Sequence, residues 1–231
     1  MRILFYYPVL KGGYSMGIKV NGKMIDSETV KTLDVIDGEI YVNGCRYDID
    51  GPDNDSVDDL SHRVIKIVIE GEIFGPVTVD SCDKVEVKGI VCGDITAGGS
   101  VDCCDVAGCV EAGKSVSCGN VGGYVEAREN VTCGNVTGYV DASKTVYCGS
   151  VGGDVSSEEG NVVCKGEVTG NITAGGSVVC CRGIDGDISA KGNVVCDNVF
   201  GDIDAGESVC CSKVSGDGDV SADGNVVVND N

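Results

Sequence analysis

The residues able to do chemistry recur at fixed spacing in this chain. Eight of its fifteen cysteines, Cys103, Cys118, Cys133, Cys148, Cys164, Cys180, Cys196 and Cys211, follow one another at intervals of 15 or 16 residues. Regularly placed thiols suit a metal site or a redox relay. Four more, Cys104, Cys109, Cys181 and Cys210, fall one residue off the positions of that series and its neighbours, while Cys45, Cys82 and Cys92 belong to no pattern. Glu111, Glu126 and Asp141 form a second series, two residues after Cys109, Tyr124 and Tyr139. Oxygen ligands of that kind suit Ca²⁺ or a basic partner. Lys114, Glu129 and Lys144 form a third, alternating in sign. His62 is the only histidine and lies in an acidic stretch. Gly113, Lys114 and Ser115 read as the end of a phosphate loop but lack its upstream glycine, and no nucleophile elbow or dinucleotide fingerprint is present. The expectation is a non-enzyme with no catalytic residues, no cofactor and no metal.

What would position these series is a repeat. From Gly93 to Gly153 four units of fifteen residues follow without a slip, beginning GDITAGGSVDCCDVA, and the glycine anchors continue at 170, 186, 201 and 218. Within a unit, apolar or small residues come in pairs two apart: Ile95 and Ala97, Val101 and Cys103, Val106 and Gly108. That spacing puts both members of a pair on one face of a short strand. Three such strands per turn, joined at polar or glycine corners, coil into a triangular prism of about 15–17 residues per rung. Three pairs in fifteen residues make no helical stripe, and nothing between units is long enough for a crossover helix. The extra residues in the units from Gly153 and Gly170 fall between pairs, so they lengthen corners and leave strand register intact.

Stacking turns each series into a column. The eight cysteines then point inward in a file, with no tetrahedral convergence for zinc and with neighbouring Cβ atoms farther apart than a disulfide prefers. They read as small core hydrophobes. The off-column thiols face out, without a cationic neighbour to activate them. Glu111, Glu126 and Asp141 face solvent, with Tyr124 and Tyr139 stacked beside them. These five residues are the candidate contact patch. Lys114, Glu129 and Lys144 support register by mutual attraction.

Residues 1–60 differ: Ile18 to Ile25 and Ile40 to Ile49 each place Asn-Gly between alternating apolar flanks, the mark of β-hairpins. Ser27 to Leu33 reads as a short helical turn or a strand. The acidic, turn-rich stretch Gly51 to Arg63 reads as a linker, giving a hairpin-rich module over 1–60 and a parallel β-helix over 61–231, with Val64 to Val79 as its first rung. A net charge of −20 argues against direct contact with nucleic acid. The short apolar run near Met1 lacks the features of a secretion signal, and no segment has the length of a transmembrane span. Cysteines that follow the repeat read as reduced thiols, so the expected location is cytoplasmic.

The stretch VVCCRGIDGDISAKGNVVCDNVFGDIDAGESV, Val178 to Val209, resembles the bactofilins, polymer-forming cytoskeletal proteins of bacteria, in its recurring V-x-G-D-I-x-A-x-x-x-V phrase. The resemblance spans roughly residues 64–228. It implies a right-handed β-helix and a scaffold that assembles end to end into nucleotide-independent filaments. The hairpin module, the missing Pro-rich tails and the cysteine column depart from that pattern. Val226, Val227 and Val228 read as an exposed final strand, the expected place for end-to-end contact in a homo-oligomer, dimer or filament. Two other readings stand beside this one: an acidic rod that occupies the groove of a basic partner, such as a nucleic-acid-binding protein, and a fibre or spike component, possibly phage-encoded.

Overall fold

The computed structural model describes residues 73, 75–79, 82–215 and 218–229, and before them the strands Ile3–Leu4, Gly17–Val20, Lys23–Ile25, Thr32–Ile36, Glu39–Val42, Cys45–Tyr47 and Lys66–Glu70. The chain is all-β, a solenoid of about ten turns with no helix among the described residues. Two faces carry strands. One stacks ten three-residue segments, eight of them Val/Ile-x-Ala such as Ile95–Ala97, Val110–Ala112 and Val125–Ala127, into a parallel sheet, called here the Ala face. The other stacks segments such as Ser100–Cys103 and Val146–Cys148, called the Cys face. Register is residue for residue, with Ile95 opposite Val110 and Val146 opposite Val162. Strand pairing also holds across the lengthened corner, where Val155 faces Ile172.

The third face is not a strand. It is a file of single bridges through Ile73, Val91, Val106, Val121, Val136, Val151, Val168, Ile184 and Val199. The expected pair of Val106 with Gly108 fails because the chain turns at the glycine, where it runs tight against the rung before. A Cβ on Gly108 would stand 2.7 Å from the Gly93 carbonyl carbon. Most corner glycines are therefore required by close stacking, Gly183 being one that is not.

Val and Ile from all three faces fill the prism, nearly all under 5% exposed, and Ala and Cys fill the space beside them. Burying a valine is worth about 1.5–3 kcal/mol, and each rung supplies about three branched residues, so stability accrues rung by rung. Among the described residues, Ser157 is the buried polar residue of this core, standing in the alanine file. Its hydroxyl donates to the Lys144 carbonyl at 2.6 Å and accepts from the Gly160 amide at 3.1 Å. It thereby ties down the corner that carries the extra residue.

At the amino-terminal side, Lys66–Glu70 is parallel to Lys84–Lys88. The hairpin of Gly17–Val20 and Lys23–Ile25 adds to Lys66–Glu70 in antiparallel fashion, extending the Cys face. Ile3–Leu4, Thr32–Ile36, Glu39–Val42 and Cys45–Tyr47 make a separate four-stranded antiparallel sheet. Both hairpins thus form where Asn-Gly stands, and the Ser27 to Leu33 stretch contributes its end to the strand Thr32–Ile36. The linker Gly51 to Arg63 and His62 lie outside the described residues.

Candidate functional site

Glu111, Glu126 and Asp141 are the middle residues of Val110–Ala112, Val125–Ala127 and Val140–Ala142. Valine and alanine point inward, so the carboxylates point out, directly above one another. Rungs in a parallel sheet are about 4.8 Å apart, and like charges at that spacing repel. Together with Thr96 they line an open trough of about 800 Å³, whose margin also carries Arg128 and Glu158.

The tyrosines occupy a corner position with a structural duty elsewhere. Asp94, Asp154, Asn171, Asp187 and Asp202 stand there in other rungs, and each Oδ1 accepts the backbone N–H of the corner residue one rung on, at 2.7–2.8 Å. Cys109, Tyr124 and Tyr139 hold this place in the carboxylate rungs and offer no such oxygen. The two rings instead stack, centroids 4.8 Å apart and 4° from parallel. Tyr124 donates its hydroxyl to Glu111 Oε1 at 2.5 Å, and Tyr139 donates to Glu126. Each phenol therefore caps the carboxylate one rung back. These bonds raise both phenols, with lost hydration adding to the effect: Tyr139 is pushed up to about 12, and Tyr124 also rises. Asp141 receives no phenol, because Asp154 stands where a third tyrosine would. Four carboxylates, two aromatic rings and one guanidinium make a surface suited to a cationic group.

The cysteine file has the expected inward direction. Seven of its members are at most 9% exposed, while Cys118 is half-buried. The sulfurs of Cys148 and Cys164 are 3.3 Å apart, in hydrogen-bonding contact. Such contacts with neighbouring thiols, reinforced by burial, push Cys118 and Cys164 up, and burial is the main cause that pushes Cys196 up to about 12. Cys118, Cys164 and Cys196 are therefore neutral thiols, whereas the hydrogen bonds from Cys118 and Cys164 hold Cys133 and Cys180 below the ordinary thiol range. The fourteen cysteines from Cys82 to Cys211 form no disulfide. Cys104, Cys181 and Cys210 are exposed, and Cys109 is half-buried. In the charged column, Lys144 meets Glu129 at 3.4 Å, but Lys114 turns to Asp83 at 2.7 Å. Asp83 stands in the same column two rungs back, beyond Gly99, so Lys114 pairs backward along the column and Glu129 pairs forward with Lys144.

Val226–Val228 pairs on one side, with Val209–Val214, and stands at the margin of its sheet, as Val220–Ala222 does on the Ala face. Val226 is 46% exposed, against 1% for Val209 one rung earlier in the same core file.

Two features were missed in the residues. Asp105, Asn120 and Asn135 form another corner ladder, accepting from the amides of Asn120, Asn135 and Ser150 at 2.7–2.9 Å. The signal was an Asp or Asn just before the bridge valine. The second is an exposed apolar lane on the Cys face, legible as Tyr147, Val163, Val179 and Val195 between the inward Val and Cys of successive rungs.

Comparison with protein-family models, curated proteins and solved structures finds no match. Among the described residues, no helix is long and apolar enough to cross a membrane.

Proposed function

We propose that this chain is a structural or scaffolding solenoid, not an enzyme, and that it self-associates end to end through the rung of Val220–Ala222 and Val226–Val228. The supporting observation is the exposure of core positions in that rung, Val226 at 46% and Val228 at 36%, beside strands hydrogen-bonded on one edge. Unpaired strand edge and open core favour addition of another rung. The likeness to bactofilins points the same way, and a reducing, cytoplasmic setting accords with the free thiols. Negative-stain electron microscopy with light scattering tests the reading. Filaments or end-joined rods are expected, and Val226→Glu with Val228→Glu returns them to single rods. A parent chain that stays monomeric at every concentration refutes it.

A second reading rests on Tyr124 and Tyr139, which replace ladder oxygens with a stacked aromatic pair beside Glu111, Glu126 and Asp141. In this reading the patch docks a basic protein segment. Polylysine binding at low salt should weaken as salt rises, and Tyr139→Ala with Glu126→Gln should weaken it further. Binding that ignores both changes removes the patch from consideration.

A further inference from the structure

The outer side of the Cys face carries three files, one central and two flanking. The central file runs Tyr147, Val163, Val179, Val195, Cys210 and Val227, one residue per rung in register. Val179 is 37%, Val195 46% and Val227 47% exposed. One flank is Asn161, Ser177, Asn193 and Ser208, polar and uncharged. The other is Lys165, Cys181, Asp197 and Ser212. In a chain of net charge −20, the three files from the Tyr147 rung to the Val227 rung contain two charged residues, Lys165 and Asp197. They have opposite sign and stand one rung to either side of Cys181.

That arrangement is complementary to itself. We propose that this lane is a contact surface for a second copy of the chain, the two prisms lying antiparallel about a two-fold axis at the rung of Val179 and Cys181. Rotation about that axis sets Val179 on its own copy, Val163 against Val195, and Tyr147 against Cys210. It also sets Lys165 of each chain opposite Asp197 of the other, so both charges are matched twice. A two-fold contact requires such inversion of sign across the axis. The remaining surface, mostly negative, repels a second copy and steers it to this lane. Lys165 already lies over the Tyr147 ring, 4.8 Å from its centroid, so cation and aromatic are held at the lane's margin. Arg182, in the exposed corner after Cys181, meets its own copy near the axis and turns to water, where the repulsion is screened. Thr132, one rung before Tyr147 in the same file, then meets Val227 of the copy. The overlap from Thr132 to Val227 is about 29 Å long and one sheet face wide, less than a permanent dimer buries. The pairing is weak and concentration-dependent. It uses a face of the rod, not its end, and does not depend on the end-to-end reading.

The test is cross-linking of the full chain with a short bis-maleimide, the linked cysteines being mapped by mass spectrometry and the fold of each variant checked by circular dichroism. The expected main product links Cys181 to Cys181. Links of Cys210 to Cys210 should be absent, because the two-fold holds them about 19 Å apart along the rod. Val179→Arg should abolish the product. Lys165→Asp should lower its yield at least fivefold, and adding Asp197→Lys to that variant should restore it. Val226→Glu with Val228→Glu should leave it unchanged. A product mapping chiefly to Cys210 or Cys104, a charge exchange without recovery, or loss of the Cys181 link in the end variant would each overturn the proposal.

Discussion

Replacing Ser157 by alanine removes the hydroxyl that spans the lengthened corner and nothing else from the core. Alanine is the residue of this file one rung before and one rung after, at Ala142 and Ala174, so packing is conserved. What is lost is the donation to the Lys144 carbonyl and the acceptance from the Gly160 amide. Each such bond contributes about 0.5–1.5 kcal/mol net, so Ser157→Ala should cost about 2 kcal/mol. At about 2–4 °C per kcal/mol for a chain of this size, Tm falls by roughly 4–8 °C. Because a repeat array opens locally, amide hydrogen exchange at Gly160 and Val162 should quicken before global melting does. Deleting Glu159 in the same variant restores the shorter corner and should recover much of the loss. A Ser157→Ala chain as stable as the parent, with Gly160 exchange unchanged, would refute the assignment of the hydroxyl to the inserted residue.

Three further outcomes follow from the same geometry. Gly122→Ala places a Cβ 2.2 Å from the Ala107 carbonyl oxygen and should cost about 1–3 kcal/mol in urea denaturation, whereas Gly183→Ala, whose nearest neighbour is 3.9 Å away, should be neutral or slightly stabilising. Asn135→Ala removes the oxygen that accepts the Ser150 amide and should cost about 1 kcal/mol, read as faster exchange of that amide. In alkaline titration followed by phenolate absorbance, Tyr124 and Tyr139 should ionise above the ordinary phenol value of about 10, Tyr139 near 12. Their raised values mean that the stability they lend is complete below about pH 10, where a free tyrosine titrates, and is lost as pH climbs from there toward 12. Glu126→Gln should bring Tyr139 back toward about 10, and a Tyr139 that ionises at the same pH with and without Glu126 would contradict the phenol–carboxylate bonds.

The prism was legible because its core obeys two periods at once: pairs two apart within a rung, such as Val146 and Cys148, and columns fifteen or so apart between rungs. The patch was legible because Glu111, Glu126 and Asp141 share the outward place between inward Val and Ala, and the tyrosines hold one corner position. The third face was over-read as a strand, since a spacing of two at Val106 and Gly108 does not reveal that the backbone turns at the glycine. Corner oxygens escaped notice because Asp and Asn in a turn usually serve their own turn, whereas Asp105 and Asn120 serve the next rung. The docking of Gly17–Val20 onto Lys66–Glu70 had no local signal at all, because the partners lie far apart in the chain. The lane was visible in Val163, Val179 and Val195, but attention to inward positions passes over the residue between them.

Pairing that is residue for residue from Val77 to Ala222 gives this rod a further property. Adding or removing one fifteen-residue unit changes its length by about 4.8 Å and leaves every other rung as it was. The chain is in effect a graduated ruler, and duplication or loss of a unit re-spaces whatever is mounted on it in whole divisions. Lys165 and Asp197 stand two divisions apart with Cys181 on the mark between them. Inserting one unit between Lys165 and Cys181 would therefore move one charge off its mark and leave the solenoid itself intact.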